Sequence, residues 1–482
     1  MAKEIEIEIK NPLFLGLLVF LFVVFMLELK AMLELPIVFG DSGWHARMAQ
    51  WIAENKEYPV WYEFERTKLQ ATGFWRPHLF NLVVASFLFF LGNFDFWIKF
   101  IDPFITLLVG VSIFVLTKKL WNDRVGFITS VVSVTVPSFV TYAVLVYTDV
   151  MFMLYLSLFL LTFLIYKKEG KNKYLFLSGT FGGLSVLTKF PGMAVFVFIV
   201  LAFLFELYKS KKFMKTFMPY LKLMLVVLLI TSPYFIRNLY YYKNPLCKGI
   251  PFFTKEYCNI HEYQSKYSFK GRTVQTGTEQ HVFRIGITNY LDFAYGPIWF
   301  VVLSFVCGLF LLYYQNYEQK AFIFIFLFIL ILMTIFQHKS VLNRAENTAR
   351  YTLGWVSVIA LISSLWFEEV YKFIQKYHKK LAVVVFIFII VVSFQNFYNK
   401  LRVMKSVKQF SPTFFEACDW VKKNLPQDVW LYSVWSHRAV YNCQRGASGN
   451  FPDIAVNRNV TDIVRVAKLH GVTHLFIQKF SI

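Results

Sequence analysis

Long apolar runs separated by short polar breaks dominate the chain from Pro12 to about residue 397. A helix needs about 17–25 apolar residues to cross a hydrocarbon core of roughly 30 Å. The runs 12–33, 97–117, 125–143, 149–166, 174–190, 192–208, 217–236, 297–314, 320–337, 350–367 and 381–397 meet that length and predict eleven spans. The run 78–92 is shorter. As a helix it would reach only about 22 Å.

The polar breaks assign sides. Lys118, Lys119 and Arg124 cluster in one break. Lys167, Lys168, Lys171 and Lys173 fill the next, Lys209, Lys211, Lys212 and Lys215 another, and Lys372, Lys376, Lys379 and Lys380 a fourth. Basic loops stay cytoplasmic. All four agree when the N-terminus is cytoplasmic, 34–96 is external and 97–117 runs inward. The run 78–92 then begins and ends outside. It is predicted to be a non-spanning helix at the interface or in the outer leaflet. The first run lacks a small-residue cleavage site, so it reads as a retained helix. The same parity puts Asp41 and Asp149 on the external side.

The tail changes pattern. "SPTFFEACDWVKKNL" offers Ser411 as N-cap and Pro412 at the first helical position. "DVWLYSV" and "VTHLFIQ" read as strands and "VTDIVRVAKLH" as a helix, giving a small α/β domain. No G-x-G-x-x-G or P-loop pattern follows a strand there.

Composition agrees with the pattern. The 482 residues are 57% hydrophobic and only 16% charged, against about 25% charged in soluble domains. The net charge of +21 sits in the short loops, which makes it a topology signal and excludes nucleic acid as the expected partner. Cys247 and Cys258 share the segment 237–296, and Cys418 and Cys443 share the tail. Each pair, if external, is either a disulfide or two buried thiols, and spacing does not decide between them.

Two carboxylates stand out. Asp41 follows the first span in "FGDSGWHARMAQWIAENKEYP", ahead of an amphipathic helix whose Trp44 and Trp51 suit the headgroup level. Asp149 heads "TDVMFMLYLSLFLL". Each alone is an ordinary turn or helix-capping residue. Together they share one side with basic groups at apolar ends: Arg76, Lys189, Arg237 and Arg350. Snorkelling anchors would explain some of these. A rim of cations beside two acids also suits an anionic, membrane-borne substrate such as a lipid phosphate. His45 and His78 raise the question of a divalent metal, but no H-E-x-x-H or Cys-x-x-Cys pair accompanies them. No G-x-S-x-G elbow is present.

The order of these features resembles a known family. A first span is followed by an external Asp and an amphipathic helix. An aromatic-Arg-Pro motif precedes a short helix, Thr-Asp heads a later span, and "GGLSVLTKFPG", "SPYFIRNLYYYKNP" and an "ARY" span start follow. The chain looks like the GT-C glycosyltransferases, membrane enzymes that use polyprenyl-phosphate-linked sugars. Within them it resembles the branch holding protein O-mannosyltransferases and lipid A aminoarabinose transferases. The resemblance covers roughly residues 12–400 and is strongest over 34–250.

The resemblance implies a polytopic α-helical membrane protein of GT-C type, with a transmembrane domain at 1–400 and an extracytoplasmic α/β domain at 401–482. The implied activity moves a sugar from a polyprenyl-phosphate carrier to an acceptor hydroxyl on the external face of the plasma membrane. Asp41 matches the first-loop catalytic carboxylate and would be the general base of an inverting displacement. Asp149 matches the second acidic position. Arg76, His78, Lys189, Arg237, Arg350 and Tyr351 fall where donor phosphate or substrate would bind, with His45 a further candidate. Only one Pro stands beside His78, which follows it. No cofactor or metal is implied, although the two His and two Asp are groups that a divalent cation can use. The implied partners are the lipid-linked sugar, a glycan, lipid or protein acceptor, and the bilayer. A transporter or flippase of lipid-linked sugars is the competing class, but the acids sit at span ends and no inverted repeat is visible. An oligosaccharyltransferase-like enzyme is a further alternative. Against it, Trp435 lacks the neighbours of a Trp-Trp-Asp motif.

Overall fold

The computed structural model describes residues 11–37, 41–60, 65–67, 77–92, 94–242, 245, 299–314, 320–338, 353–406, 412–433, 436–449, 461, 464, 468 and 471–476. Arg76, Arg350, Tyr351, Cys247, Cys258 and Ser411 lie outside them.

Helix α1 (Pro12–Glu34) starts where Asn11 caps it, its side chain accepting the Leu13 and Phe14 N–H groups, with Pro12 at the first turn. It buries Leu17, Leu21, Val24, Glu28 and Ala31 on one stripe and exposes Leu15, Val19, Phe22 and Met26 on the other. In an otherwise apolar helix, such a stripe marks the lipid-facing side. Helix α2 (Ser42–Asn55), the short strand β1 (Glu65–Thr67) and helix α3 (Leu79–Leu91) follow. Helix α3 buries Phe80, Val84 and Leu88 and lies against α2 and α4 (Asp95–Leu120). Its 13 residues rise only about 20 Å.

The run 125–143, expected as one span, is broken. Helix α5 (Asp123–Thr135) and helix α6 (Pro137–Ala143) meet at 62°. Pro137 cannot donate to Ser133, and it forces Val136 into extended backbone with φ −60° and ψ 133°. Helix α7 (Asp149–Glu169) is encased by its neighbours, and 83% of its most apolar window is buried. Helix α8 (Asn172–Thr188) leads into a 3₁₀ turn (Phe190–Met193) and helix α9 (Ala194–Ser210). Gly192 permits this reversal: a Cβ there would stand 2.5 Å from the Ser185 carbonyl oxygen. Helices α10 (Phe213–Tyr242), α11 (Trp299–Tyr314), α12 (Lys320–His338), α13 (Val356–Tyr377) and α14 (Lys379–Ser406) complete the bundle.

Among the described residues, seven helices are long and apolar enough to cross a membrane, or eight if the bent pair α5–α6 counts as one span. The chain is thus a multi-pass membrane protein. Each of the eleven expected runs contains helix among its described residues. The shortfall arises where a helix is short, as in the 17-residue α8, or where its described apolar part is short, as in Leu303–Tyr314 and Lys320–Ile329.

The basic loops gather at one end of the bundle, in pairs such as Lys118–Asp123 at 3.2 Å and Lys119–Glu169 at 3.1 Å. Arg124 makes a two-pronged bond to the buried Glu368, at 2.8 and 2.7 Å. The other end carries Glu34, Asp95, Asp149 and Lys189, and is called the site end below.

The tail sits at the site end. Helix α15 (Pro412–Asn424), strand β2 (Trp430–Tyr432), helix α16 (Ser436–Asn442), strand β3 (Gly446–Gly449) and strand β4 (His474–Leu475) build it. The sheet is parallel, in the order β1-β3-β2-β4. Its edge strand β1 comes from the polypeptide between α2 and α3, with Glu65 opposite Ala447 and Thr67 opposite Gly449. Helix α14 runs on to Ser406, past the expected domain boundary. Cys418 and Cys443 are joined by a disulfide across 25 residues. Arg445 ties the α15 end down, donating to the Leu425 and Lys422 carbonyls at 2.5 and 3.1 Å.

Candidate active site

Three helix ends and one short loop bring the polar groups together. The loop 144–148 joins α6 to α7 and carries Tyr147. The backbone N–H of Tyr147 donates to Asp102 Oδ2 at 3.1 Å. Asp102 is wholly buried in α4, just before Pro103. The Tyr147 hydroxyl in turn accepts the backbone N–H of Asp41 at 3.0 Å. A residue of the first loop is thereby fixed to a point two residues from Asp149. Asp41 and Asp149 thus lie at the same end of the bundle.

Asp149 opens α7 with its side chain wholly buried, and Lys189 Nζ donates to its Oδ1 at 2.5 Å. Lys189 reaches it from the α8–α9 reversal that Pro191 and Gly192 make. Removing one member of such a pair strands a charge, at a cost of about 3–5 kcal/mol. Thr148 precedes Asp149 as the N-cap residue but makes no side-chain cap.

Helix α2 is held to α3 from within. His45, 4% exposed, donates from Nδ1 to Asn81 Oδ1 at 2.9 Å. Its ring also meets Phe80 and Tyr147 edge-on, at 5.6 and 6.3 Å between centroids. Trp44, expected at the headgroup level, is instead 1% exposed and part of the core. The face of α2 that carries it is covered by α16 of the tail and by α3. Trp51 is half-buried, and Arg47 pairs with Glu54 at 3.3 Å on the exposed face.

His78 stands three residues before Asn81, on the same side of α3. Its ring lies against Tyr58 at 3.9 Å and Tyr234 at 5.4 Å. Arg237 covers the other partners of this group, 4.8 Å from the Tyr58 ring and 5.6 Å from the Tyr241 ring, and donates to the Pro59 carbonyl at 2.8 Å. His78 and Arg237 thus share an aromatic cluster that adjoins the His45–Asn81 contact.

Sequence reasoning misses four members of this neighbourhood. Tyr147 and Asn81 look like ordinary residues of their runs. Asp102 looks like an interruption of an apolar run, although a carboxylate inside a span is itself a signal. Arg438 lies in the tail, in helix α16. It is 9% exposed, and close enough to Tyr147 for the two groups to interact electrostatically. Burial pushes its pKa down to about 10, so it remains charged at neutral pH. Among the described residues no three His, Cys, Asp or Glu side chains converge as a metal site would require.

The fold has solved counterparts. ArnT from Cupriavidus metallidurans bound to undecaprenyl phosphate superposes with a TM-score of 0.65 at 12% identity, over 95% of this chain and 89% of that one. The oligosaccharyltransferase of Archaeoglobus fulgidus in its apo form gives 0.66 at 14% identity, over 95% and 68%. The archaeal oligosaccharyltransferase AglB from the same organism, in complex with an inhibitory peptide and a dolichol-phosphate, gives 0.63 at 15% identity, over 96% and 69%. At such identities the likeness is one of fold. No curated protein sequence matches the chain.

A family match in sequence covers about a third of the chain. The segment 76–236 matches the family described as dolichyl-phosphate-mannose-protein mannosyltransferase. That segment includes His78, Asp149 and Lys189. Asp41, Arg237 and the whole tail lie outside it.

Proposed function

We propose that the chain transfers a sugar from a polyprenyl-phosphate carrier to an acceptor hydroxyl at the site end of the bundle. The observation that carries this reading is the bond from Asp41 N–H to Tyr147 Oη. It ties the backbone of Asp41 to a tyrosine two residues before Asp149, the partner of Lys189, which supports a site shared by the two acids. Asp41 accepts the hydroxyl proton as the acceptor oxygen attacks the anomeric carbon. The bond from that carbon to the phosphate oxygen breaks, and the polyprenyl phosphate leaves with the electron pair. The displacement inverts the anomeric centre. Carboxylate charge nearby favours its oxocarbenium-like transition state.

Asp149 serves as the second acid, held by Lys189, and orients the acceptor. The His78–Tyr58–Arg237 cluster forms a cationic, aromatic flank for the donor, and Arg76, Arg350 and Tyr351 complete its binding groups. The carrier's tail lies along α3. The chain crosses the plasma membrane eleven times with its N-terminus in the cytoplasm, and the 401–482 domain covers the site from outside. An inhibitory peptide in one structural relative and lipid phosphates in two support the kinds of partner expected. A flippase needs intramembrane charge and a moving pair of repeats. The clustering of acids at helix ends, closed by a tail, suits group transfer better.

The test is transfer in vitro by the purified full-length protein, with a panel of radiolabelled polyprenyl-phosphate sugars and extracted membrane acceptors. A labelled product from at least one donor supports the reading. Donor movement across vesicles without a glycosylated product refutes it.

A further inference from the structure

The basic end of the bundle holds two kinds of lysine. Around the ends of α4 and α7 the cations face carboxylates: Lys118 with Asp123, Lys119 and Lys171 with Glu169, and Lys167 with Glu206. The turn between α9 and α10 differs. Lys209, Lys211, Lys212 and Lys215 crowd into it, and no Asp or Glu occurs from Leu207 to Tyr242. All four lysines are exposed, and among the described residues none of them pairs with a carboxylate. The nearest acid in sequence, Glu206, is held by Lys167 at 2.5 Å.

Hydrogen bonds close this turn. The Ser210 and Thr216 hydroxyls share one at 2.8 Å. The Lys212 N–H donates to Ser210 Oγ at 3.3 Å, and the Thr216 N–H donates to the Lys212 carbonyl at 3.1 Å. Lys211 ends α9 in the left-handed conformation, with φ 54°. The four cations are thereby gathered on one short bend.

The bend stands at the lipid-facing rim. The apolar windows of Phe190–Ser210 and Phe213–Tyr241 are 39% and 22% buried, against 83% for Asp149–Glu169 and Leu353–Tyr377. Tyr208, Phe213 and Met214 are exposed among the lysines, and the Phe213 ring is braced by Phe217 at 5.3 Å. Such a mixture suits the headgroup level, with apolar bodies toward the hydrocarbon and ammonium groups among the phosphates. The anion that the chain does not supply there is available from an acidic lipid. The α13–α14 break also exposes Lys376, Lys379 and Lys380, but only α14 of its two helices faces outward.

We propose that the α9–α10 turn is a binding surface for acidic phospholipids, whose headgroup phosphate pairs with Lys209, Lys211, Lys212 and Lys215. This is independent of the transferase reading, because the turn lies at the opposite end of the bundle from Asp41 and Asp149.

Native mass spectrometry of the full-length protein in detergent tests it, with titration by dioleoylphosphatidylglycerol and by dioleoylphosphatidylcholine. Wild type is compared with K211Q/K212Q/K215Q and with K376Q/K379Q/K380Q, which removes the same charge elsewhere on that end. A lysine near an acidic membrane surface contributes about fivefold in affinity. Wild type should therefore prefer phosphatidylglycerol by about tenfold or more. The first variant should lose most of that preference and the second should keep most of it. No preference in wild type overturns the proposal, as does an undiminished preference in the first variant. Equal losses in the two variants show general charge attraction and overturn the assignment to this turn. Displacement of phosphatidylglycerol by equimolar inorganic phosphate overturns the assignment to a lipid. Failure of sugar transfer would sink the transferase reading alone, since lipid binding is read without turnover. Should the first variant not fold, acetic anhydride labelling of wild type in nanodiscs decides. Phosphatidylglycerol must protect the lysines of this turn relative to phosphatidylcholine alone, and equal labelling refutes the pairing.

Discussion

The hydroxyl of Tyr147 accepts the backbone N–H of Asp41 at 3.0 Å, joining two points 106 residues apart in sequence. One short loop therefore sets the position of both acids at the site. Its backbone is held by Asp102, its tyrosine holds Asp41, and Asp149 follows it directly.

Tyr147→Phe removes this acceptor and leaves the shape nearly unchanged. The Asp41 N–H loses a partner, a change worth about 1–3 kcal/mol if it stays buried. We expect kcat to fall about tenfold or more, with the donor KM little changed. A kinetic comparison of Y147F with wild type checks this, and an unaltered kcat would remove Tyr147 from the positioning of Asp41.

Asp102 acts on the same loop from below. Asp102→Asn keeps an oxygen for the Tyr147 N–H, whereas Asp102→Leu does not. The expected order of activity is wild type, then D102N close behind, then D102L well below. D102L should also lose about 1–3 kcal/mol of stability for the orphaned N–H. Equal losses in D102N and D102L, measured by turnover and by thermal unfolding, would show that charge rather than the hydrogen bond matters.

The Asp149–Lys189 pair should show strong coupling. Lys189→Met strands a wholly buried carboxylate and is expected to cost about 3–5 kcal/mol. The double variant D149N/K189M should cost less than the sum of the two single changes. A double-mutant cycle by thermal unfolding reads the coupling directly, and additivity within about 0.5 kcal/mol would contradict a direct pair.

Much of the fold is legible in the sequence because lipid leaves the backbone few options. The described part of every apolar run long enough to span holds helix, and α3 is as short as run 78–92 implied. Pro137 carries the signal for the break between α5 and α6, but a hydropathy run averages over it. Loop charge brought Asp41 and Asp149 to one end, and "LTKFPG" placed Lys189 beside them. Contacts that depend on distant segments stayed hidden. Nothing near Glu65 announces a strand whose partner lies at residues 446–449. Arg438 sits in a helix of seven residues, too short for its periodicity to betray an inward face. Trp44 was read as an interfacial anchor because the tail that covers its helix is more than 390 residues away.

The central claim is that Asp41 takes the acceptor's proton. Its direct test is the rate of sugar transfer by Asp41→Asn in membranes, alongside its affinity for the carrier phosphate. Asparagine keeps the size and the backbone N–H to Tyr147, but not the base. The account predicts a fall in turnover of about 10²–10⁴-fold with carrier affinity retained. Turnover near that of wild type would contradict it.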